Sequence, residues 1–288
     1  MPTRLRAVVM TGEPEIVGGE ALADLAALEV IAEAVFGRGR RQPGWFARKL
    51  GREGVEPRLS SLAVLDPGAE ICGYALLGRA PSQGAVARGS GVGVLAARRG
   101  RGIGRALIEH SLARAEQAGC DAVEFLAEPE RVDWYLGQGF AIAEQQLTLL
   151  SLGTGSPTAS LRDHEARPAR AEPLWSWIPE IWERTPAAEQ AFVELGGARI
   201  WLTREGRAWL VHRCEPSDPA VVVRGLTELL RNLAPTTPLL LYPCPAEAPW
   251  VTALRDAGFA PAQRSFVMRR ATAIAGQSPK LRRTSGSP

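Results

Sequence analysis

The sequence predicts a mixed α/β protein whose element order occurs twice, and three observations carry that expectation. Short apolar runs bounded by turn residues alternate with amphipathic stretches at helical spacing. One such run, Val92-Gly93-Val94-Leu95, leads into the segment R-R-G-R-G-I-G-R at 98–105, which leads into a helical stretch. Finally, Gly102–Phe140 slides forward by 119 residues onto Val221–Phe259 without a gap. Arg105 then meets Arg224, Leu107 meets Leu226, Glu109 meets Glu228, and Gly139-Phe140-Ala141 meets Gly258-Phe259-Ala260. Both copies read helix, strand, helix, Gly-Phe, strand, the order an internal duplication leaves.

Taken in order, Leu5–Met10 reads as an opening strand. Gly18-Gly19 precedes an amphipathic helix over Glu20–Phe36, with Leu22, Leu25, Leu28 and Val35 near helical spacing, ended by Gly37 and the basic 38–41. Trp45–Leu50 reads as a short helix. Leu59–Leu65 and Ile71–Leu77 form a hairpin through Asp66-Pro67-Gly68-Ala69, residues that favour a turn. Val92–Leu95 is the next strand and Ile103–Ala118 a helix stopped by Gly119. Ala122–Leu126 is a strand, Pro129–Leu136 a helix opened by proline, and Phe140–Leu150 one bent strand or a tight hairpin. Residues 151–173 lack apolar periodicity and read as a linker. A second apolar region spans 174–275, and the small, basic tail 276–288 reads as disordered.

With 288 residues the chain holds one large or two modest domains. Its 45% hydrophobic and 23% charged content is that of a soluble globular protein. A net charge of +3 does not point to nucleic acid, so attraction for anions must come from local clustering. Cys72, Cys120, Cys214 and Cys244 lie far apart without C-x-x-C spacing. They read as reduced thiols in the cytoplasm, with no metal expected. Neither a signal pattern nor an apolar run of bilayer length is visible, which leaves no membrane role.

The chemistry concentrates at 98–105. A strand that turns through glycines into a helix presents unpaired N–H groups together with the positive end of the helix dipole. Glycine also adopts conformations that other residues resist. Arg99, Arg101 and Arg105 add charge, so the segment reads as a phosphate or pyrophosphate cradle, against the plainer reading of a tight turn with solvated arginines. It is neither a P-loop, G-x-x-x-x-G-K-[ST], nor the dinucleotide G-x-G-x-x-G.

Arg99-Gly100-Arg101-Gly102-Ile103-Gly104, preceded by Val92 and Val94, resembles the Q/R-x-x-G-x-G/A signature of the GNAT N-acetyltransferases. The resemblance covers roughly residues 4–150. It implies two GNAT-like domains, each a twisted, mostly antiparallel sheet with a splayed central strand pair and flanking helices. It further implies that amides from Arg99 through Arg105 bind the pyrophosphate of acetyl-CoA, and that Val92, Val94 and Leu95 pair with the pantetheine arm. The aromatic-Tyr pair Trp134-Tyr135 before Gly139-Phe140 is a second family mark. Tyr135 is thereby expected to protonate the departing thiolate, a task suited to a phenol that ordinarily titrates near 10. Glu124, on the strand beside the thioester gap, is the nearest candidate for general base. A solvated or salt-bridged carboxylate is the competing reading of Glu124. Glu128 stands where the family often has Asn, and Ala96 where it usually has Pro. The implied activity is acetyl transfer from acetyl-CoA to an unidentified amine by direct attack, in a monomer or homodimer. A non-catalytic acyl-CoA-binding sensor is the alternative.

Shifted by 119 residues, the cradle lands on Asp218-Pro219-Ala220-Val221-Val222-Val223, and Tyr135 lands on Leu254. This second copy therefore reads as a degenerate half that keeps the scaffold and has lost the site. It holds six of the eight tryptophans, with Trp175–Trp182 placed either in packing or as a wall over the acceptor site. His110 and His212 read as structural, and His164 falls in the linker.

Overall fold

The computed structural model describes residues 13–37, 44–65, 70–79, 85–155 and 180–273. Within them lie eleven strands: β1 (Glu15–Gly18), β2 (Ser61–Val64), β3 (Ile71–Arg79), β4 (Val86–Val94), β5 (Ala122–Ala127), β6 (Ala141–Leu152), β7 (Gln190–Leu195), β8 (Ala198–Glu205), β9 (Ala208–Glu215), β10 (Pro238–Pro245) and β11 (Ala260–Ala271). The helices are α1 (Glu29–Phe36), α2 (Trp45–Glu53), α3 (Ile103–Gln117), α4 (Val132–Leu136), α5 (Ile181–Arg184), α6 (Pro219–Asn232) and α7 (Pro249–Asp256). All strands join one mixed sheet in the order β1-β2-β3-β4-β5-β11-β6-β10-β9-β8-β7.

That order places the final strands of the two halves across each other. β11 pairs antiparallel with β5 of the first half, β6 pairs antiparallel with β10 of the second, and β6 and β11 pair together. Each half's sheet is thus completed by the other's last strand. The offset seen in the sequence recurs in space, since 119 residues carry β6 onto β11 end for end. The turns before them match as well. Gly139 and Gly258 sit at φ 79° and 97°, and the amides of Phe140 and Phe259 donate to Tyr135 O and Leu254 O.

β3 is buried along nearly its whole length because helices cover both its faces. On one face α3 buries Leu107, Ile108 and Leu112 with Phe125 and Phe140. On the other, α1 and α2 cover Leu62, Tyr74 and Leu76, with Phe46 and Leu28 as the apolar fill. The second half has its own core around Ile200, Leu226, Leu239 and Leu254.

Several elements differ from expectation. The stretch expected as one helix over Glu20–Phe36 is α-helical only from Glu29, after 3-10 turns at Gly19–Ala21 and Leu25–Leu28. Asp24 explains the break, because its carboxylate accepts from Ala26 N at 2.8 Å and fixes a start there. β4 begins at Val86 and so takes in Gly89, Gly91 and Gly93. A side chain at Gly89 would meet the Phe125 ring at 2.0 Å, so that position of the strand requires glycine. β6 is one strand that reaches Leu152, into the expected linker, and β1 was not anticipated. The expected strand at Leu5–Met10, the turn at 66–69, most of the linker with Trp175 and Trp177, and the tail fall outside the described residues.

Candidate active site

β4 and β5 pair in parallel only over Val86–Arg88 and Ala122–Glu124, then part. β4 also carries a bulge, since Leu76 faces Gly91 while Leu77 faces Gly89, leaving Ser90 as the extra residue. The Ser90 hydroxyl is buried with no partner among the described residues. Beyond Val94 the chain makes a 3-10 turn, Ala96–Arg98, and enters α3 through Gly100 at φ 76° and Gly102 at φ 80°. A Cβ at either glycine would meet nothing within 4 Å, so the left-handed backbone, and not crowding, requires glycine there. No side chain caps α3.

The amides of Arg98 and Arg99 are taken up by Leu95 O and Ala96 O, and that of Ala106 by Gly102 O. Between them, Gly100, Arg101, Gly102, Ile103, Gly104 and Arg105 donate to no backbone carbonyl among the described residues. Six successive N–H groups at a helix start are donors of the kind that suit an anion. Gly104 has a separate role, because a Cβ there would press on the Trp134 ring at 3.2 Å.

This junction opens onto a cavity of about 1020 Å³. Val92, Val94, Arg99, Gly100, Gly102, Ile103, Gly104, Arg105 and Tyr135 all line it. Leu95 does not line it; its amide donates to Cys72 O at 2.9 Å and its side chain packs into the core under α3. Arg101 lies outside the wall and is exposed. Arg99 is held over the end of β4 by a bond from its Nε to Val94 O at 2.9 Å.

Tyr135 is packed against Phe125, Trp134 and Phe140, with ring centroids 5.5, 4.9 and 5.5 Å away. No described residue hydrogen-bonds its hydroxyl. Burial pushes that phenol well above its ordinary range, only partly opposed by Arg131, so it is protonated throughout the neutral range.

Glu124 does not stand where a general base is needed. Its Oε1 accepts from Arg269 Nη1 at 2.9 Å and its Oε2 lies 3.1 Å from Arg88 Nη2. Register places these three side chains level on β4, β5 and β11, as a cross-strand triad. Both carboxylate oxygens are engaged by cations, and the residue is absent from the cavity wall, so the salt-bridged reading is the right one.

Sequence reasoning missed much of the wall. α2 contributes Trp45, Lys49 and Glu53, whose spacing of four was legible in the sequence although their destination was not. The second half contributes Ile181, Pro243, Gln263 and Ser265. Trp182 is not among them, since its indole N–H is tied to Leu202 O at 3.1 Å in the second half. His110 and His212 are structural, bonded to Ser61 and Thr203. Among the described residues no cluster of His, Cys, Asp or Glu could hold a metal, and no helix is long and apolar enough to cross a membrane.

No curated protein sequence matches the chain. Its overall fold is similar to three solved structures. One is a candidate acetyltransferase from Pyrococcus horikoshii, 13% identical with TM-score 0.60, the match covering 94% of each chain. The second is a GCN5-related N-acetyltransferase from Sphaerobacter thermophilus, 11% identical with TM-score 0.57, covering 90% of this chain and 95% of that one. The third, a GCN5-related N-acetyltransferase from Anabaena variabilis, is 14% identical with TM-score 0.54 and covers 90% and 74%. The acetyltransferase (GNAT) domain family matches residues 59–142. The stretch that holds the parted strands, the open amides and Tyr135 thus matches the acetyltransferase (GNAT) domain family, and these structures share its fold over nearly the whole chain.

Proposed function

We propose that the protein is an acetyl-CoA-dependent N-acyltransferase that moves an acetyl group to a primary amine by direct transfer. The row of six unpaired amides from Gly100 to Arg105, at the mouth of the cavity that Tyr135 lines, is the observation that carries this reading. The cradle would take the pyrophosphate, with Arg99 and Arg105 adding charge, and the parted edge of β4 at Val92 and Val94 would receive the pantetheine amides. The amine nitrogen attacks the thioester carbonyl carbon, the C–S bond breaks, and the thiolate takes the Tyr135 proton. An ammonium acceptor gives one proton to water in the open cavity before it attacks, and the nitrogen gives up a second one afterwards, while the Tyr135 phenolate recovers a proton from water. The second half, in this reading a degenerate copy of the first, contributes wall instead of chemistry.

The engagement of Glu124 by Arg88 and Arg269 favours a second reading, an acyl-CoA-binding sensor that lacks a base. Calorimetry with CoA and a thiol-release assay over a panel of amines separate the two. Binding with turnover is expected, and binding without turnover over the whole panel would establish the sensor. Gly102→Glu places a carboxylate at a left-handed position in the cradle. It is expected to weaken CoA at least 100-fold, about 2.7 kcal/mol, while the protein stays folded by circular dichroism. Unchanged affinity in that variant would remove the cradle from both readings.

A further inference from the structure

The cavity wall draws on both faces of the sheet. Ile103 and Tyr135 belong to the core under α3, whereas Trp45 and Tyr74 belong to the core under α1 and α2. Since β4 and β5 pair only up to Arg88 and Glu124, the cavity joins the two faces through the gap between them. Cradle and Tyr135 account for one side of that gap. The other side is unassigned, and it has a definite chemical character.

Along α2, Trp45, Lys49 and Glu53 follow at intervals of four and so lie in a row on one face of the helix. Phe36 and Tyr74 add aromatic surface beside them. The cavity wall holds two carboxylates, Glu53 and Glu128. Glu128 is exposed just before α4, whereas Glu53 is largely buried, with a side chain 20% exposed. Lys49 pairs with Oε2 of Glu53, and Oε1 accepts nothing from the described residues. One carboxylate oxygen in a wall of aromatic rings suits a single ammonium on an apolar body, because the ring faces attract a cation and the rest of the molecule gains by burial. The neighbouring Lys49 ammonium opposes any further positive charge.

We infer that the α2 row is the acceptor subsite and that it selects an apolar or aromatic monoamine: Glu53 takes the ammonium, Trp45 and Tyr74 enclose the body, and Lys49 rejects polycations. The inference rests on the transfer reading for its use but not for its measurement. In the thiol-release assay at saturating acetyl-CoA, 2-phenylethylamine is expected to exceed spermidine and kanamycin at least tenfold in kcat/KM. Glu53→Gln is expected to raise KM for 2-phenylethylamine at least tenfold and to leave CoA affinity by calorimetry within twofold. Lys49→Met narrows the margin over spermidine. A preference of the wild-type protein for spermidine or kanamycin overturns the inference, as does an unaltered KM in Glu53→Gln. Calorimetry of 2-phenylethylamine against the CoA complex reads the subsite without turnover. If no amine is acetylated but this binding is present and weakened in Glu53→Gln, the subsite stands and the transfer reading falls. If 2-phenylethylamine does not bind, the subsite falls.

Discussion

Two helices of this protein start at corresponding places and end up with opposite chemistry. α3 lies between β4 and β5, and α6 between β9 and β10, and each of these strand pairs is parallel. At the start of α3 two left-handed glycines set the turn, no side chain caps it, and six amides remain open. At the start of α6, Asp218 accepts from Val221 N at 3.0 Å and Pro219 offers no N–H at all. The second helix already carries its anion, supplied by its own chain. The same contrast holds one helix further on, where Tyr135 of the first half corresponds to Leu254, fully buried, of the second. A shared scaffold thus does not decide whether a helix start binds an external anion. Whether the local sequence satisfies its own amides decides it.

The largest effect is expected at Tyr135. If it separates a working half from a filled one, Tyr135→Phe should lower kcat by about 10²–10⁴-fold and leave KM for acetyl-CoA within twofold. The ring and its contacts with Phe125, Trp134 and Phe140 are kept, so loss of stability should be small. Steady-state kinetics decide it, and an unaltered kcat would mean that the hydroxyl has no part in the reaction.

The next largest effect is expected where the halves are joined. Glu124 of β5 is clamped by Arg88 of β4 and by Arg269 of β11, the strand lent by the second half. Glu124→Gln removes the carboxylate that engages both Arg88, largely buried, and Arg269. The expected loss is about 3 kcal/mol, at the low end for a broken buried pair, since the Arg269 side chain is half exposed. Thermal unfolding should then fall by roughly 6–12 °C. A shift under 2 °C would show that the triad does not tie the halves.

The histidines sharpen the contrast in pH response. His110 in the first half is partly open, whereas His212 in the second is buried against Thr203 at 2.7 Å. Burial, helped by Arg52, pushes His212 down to about 3. A base whose folded value is depressed binds fewer protons folded than unfolded. Its contribution is therefore present above about 6.5 and is lost as pH falls from there toward 3, by up to roughly 1.4 kcal/mol per pH unit. His212→Gln should flatten the fall of the urea midpoint between pH 6.5 and 5, while His110→Gln should flatten it less, since burial lowers His110 to a smaller degree. Equal slopes in wild type and His212→Gln would refute the assignment.

What the sequence disclosed follows a physical line. Local signals were readable: the glycine turn at Gly100 and Gly102 and the Gly-Phe turns at Gly139 and Gly258 each depend on residues close in the chain, and the offset that relates β6 to β11 is a repetition of such local signals. Pairing across the halves was not. That β11 would lie against β5 is set by long-range register, which no window of residues near Arg269 encodes. The same blindness misassigned Glu124. Its position on β5 was right, but the cations that engage it stand 36 residues before and 145 residues after it. Of the two readings open for Trp182, packing or a wall over the acceptor site, chain order could not choose, because its partner carbonyl, Leu202 O, belongs to a strand that chain order alone does not bring near.

The smallest predicted effect bears on the comparison most directly. Asp218→Ala removes the carboxylate that occupies the start of α6 and frees the amide of Val221. Loss of an N-cap of this kind costs about 1 kcal/mol, readable as a small decrease in the urea midpoint. Opening the cap should nonetheless create no second CoA site. Pro219 still lacks an N–H, no left-handed glycine precedes the helix, and Val221, Val222 and Val223 keep β-branched side chains where the first half has Gly102, Ile103 and Gly104. Calorimetry should therefore give the same single binding event for CoA in Asp218→Ala as in the wild type. A second event would show that one carboxylate is all that separates the two halves, and the contrast would then reduce from a whole turn geometry to a single charge.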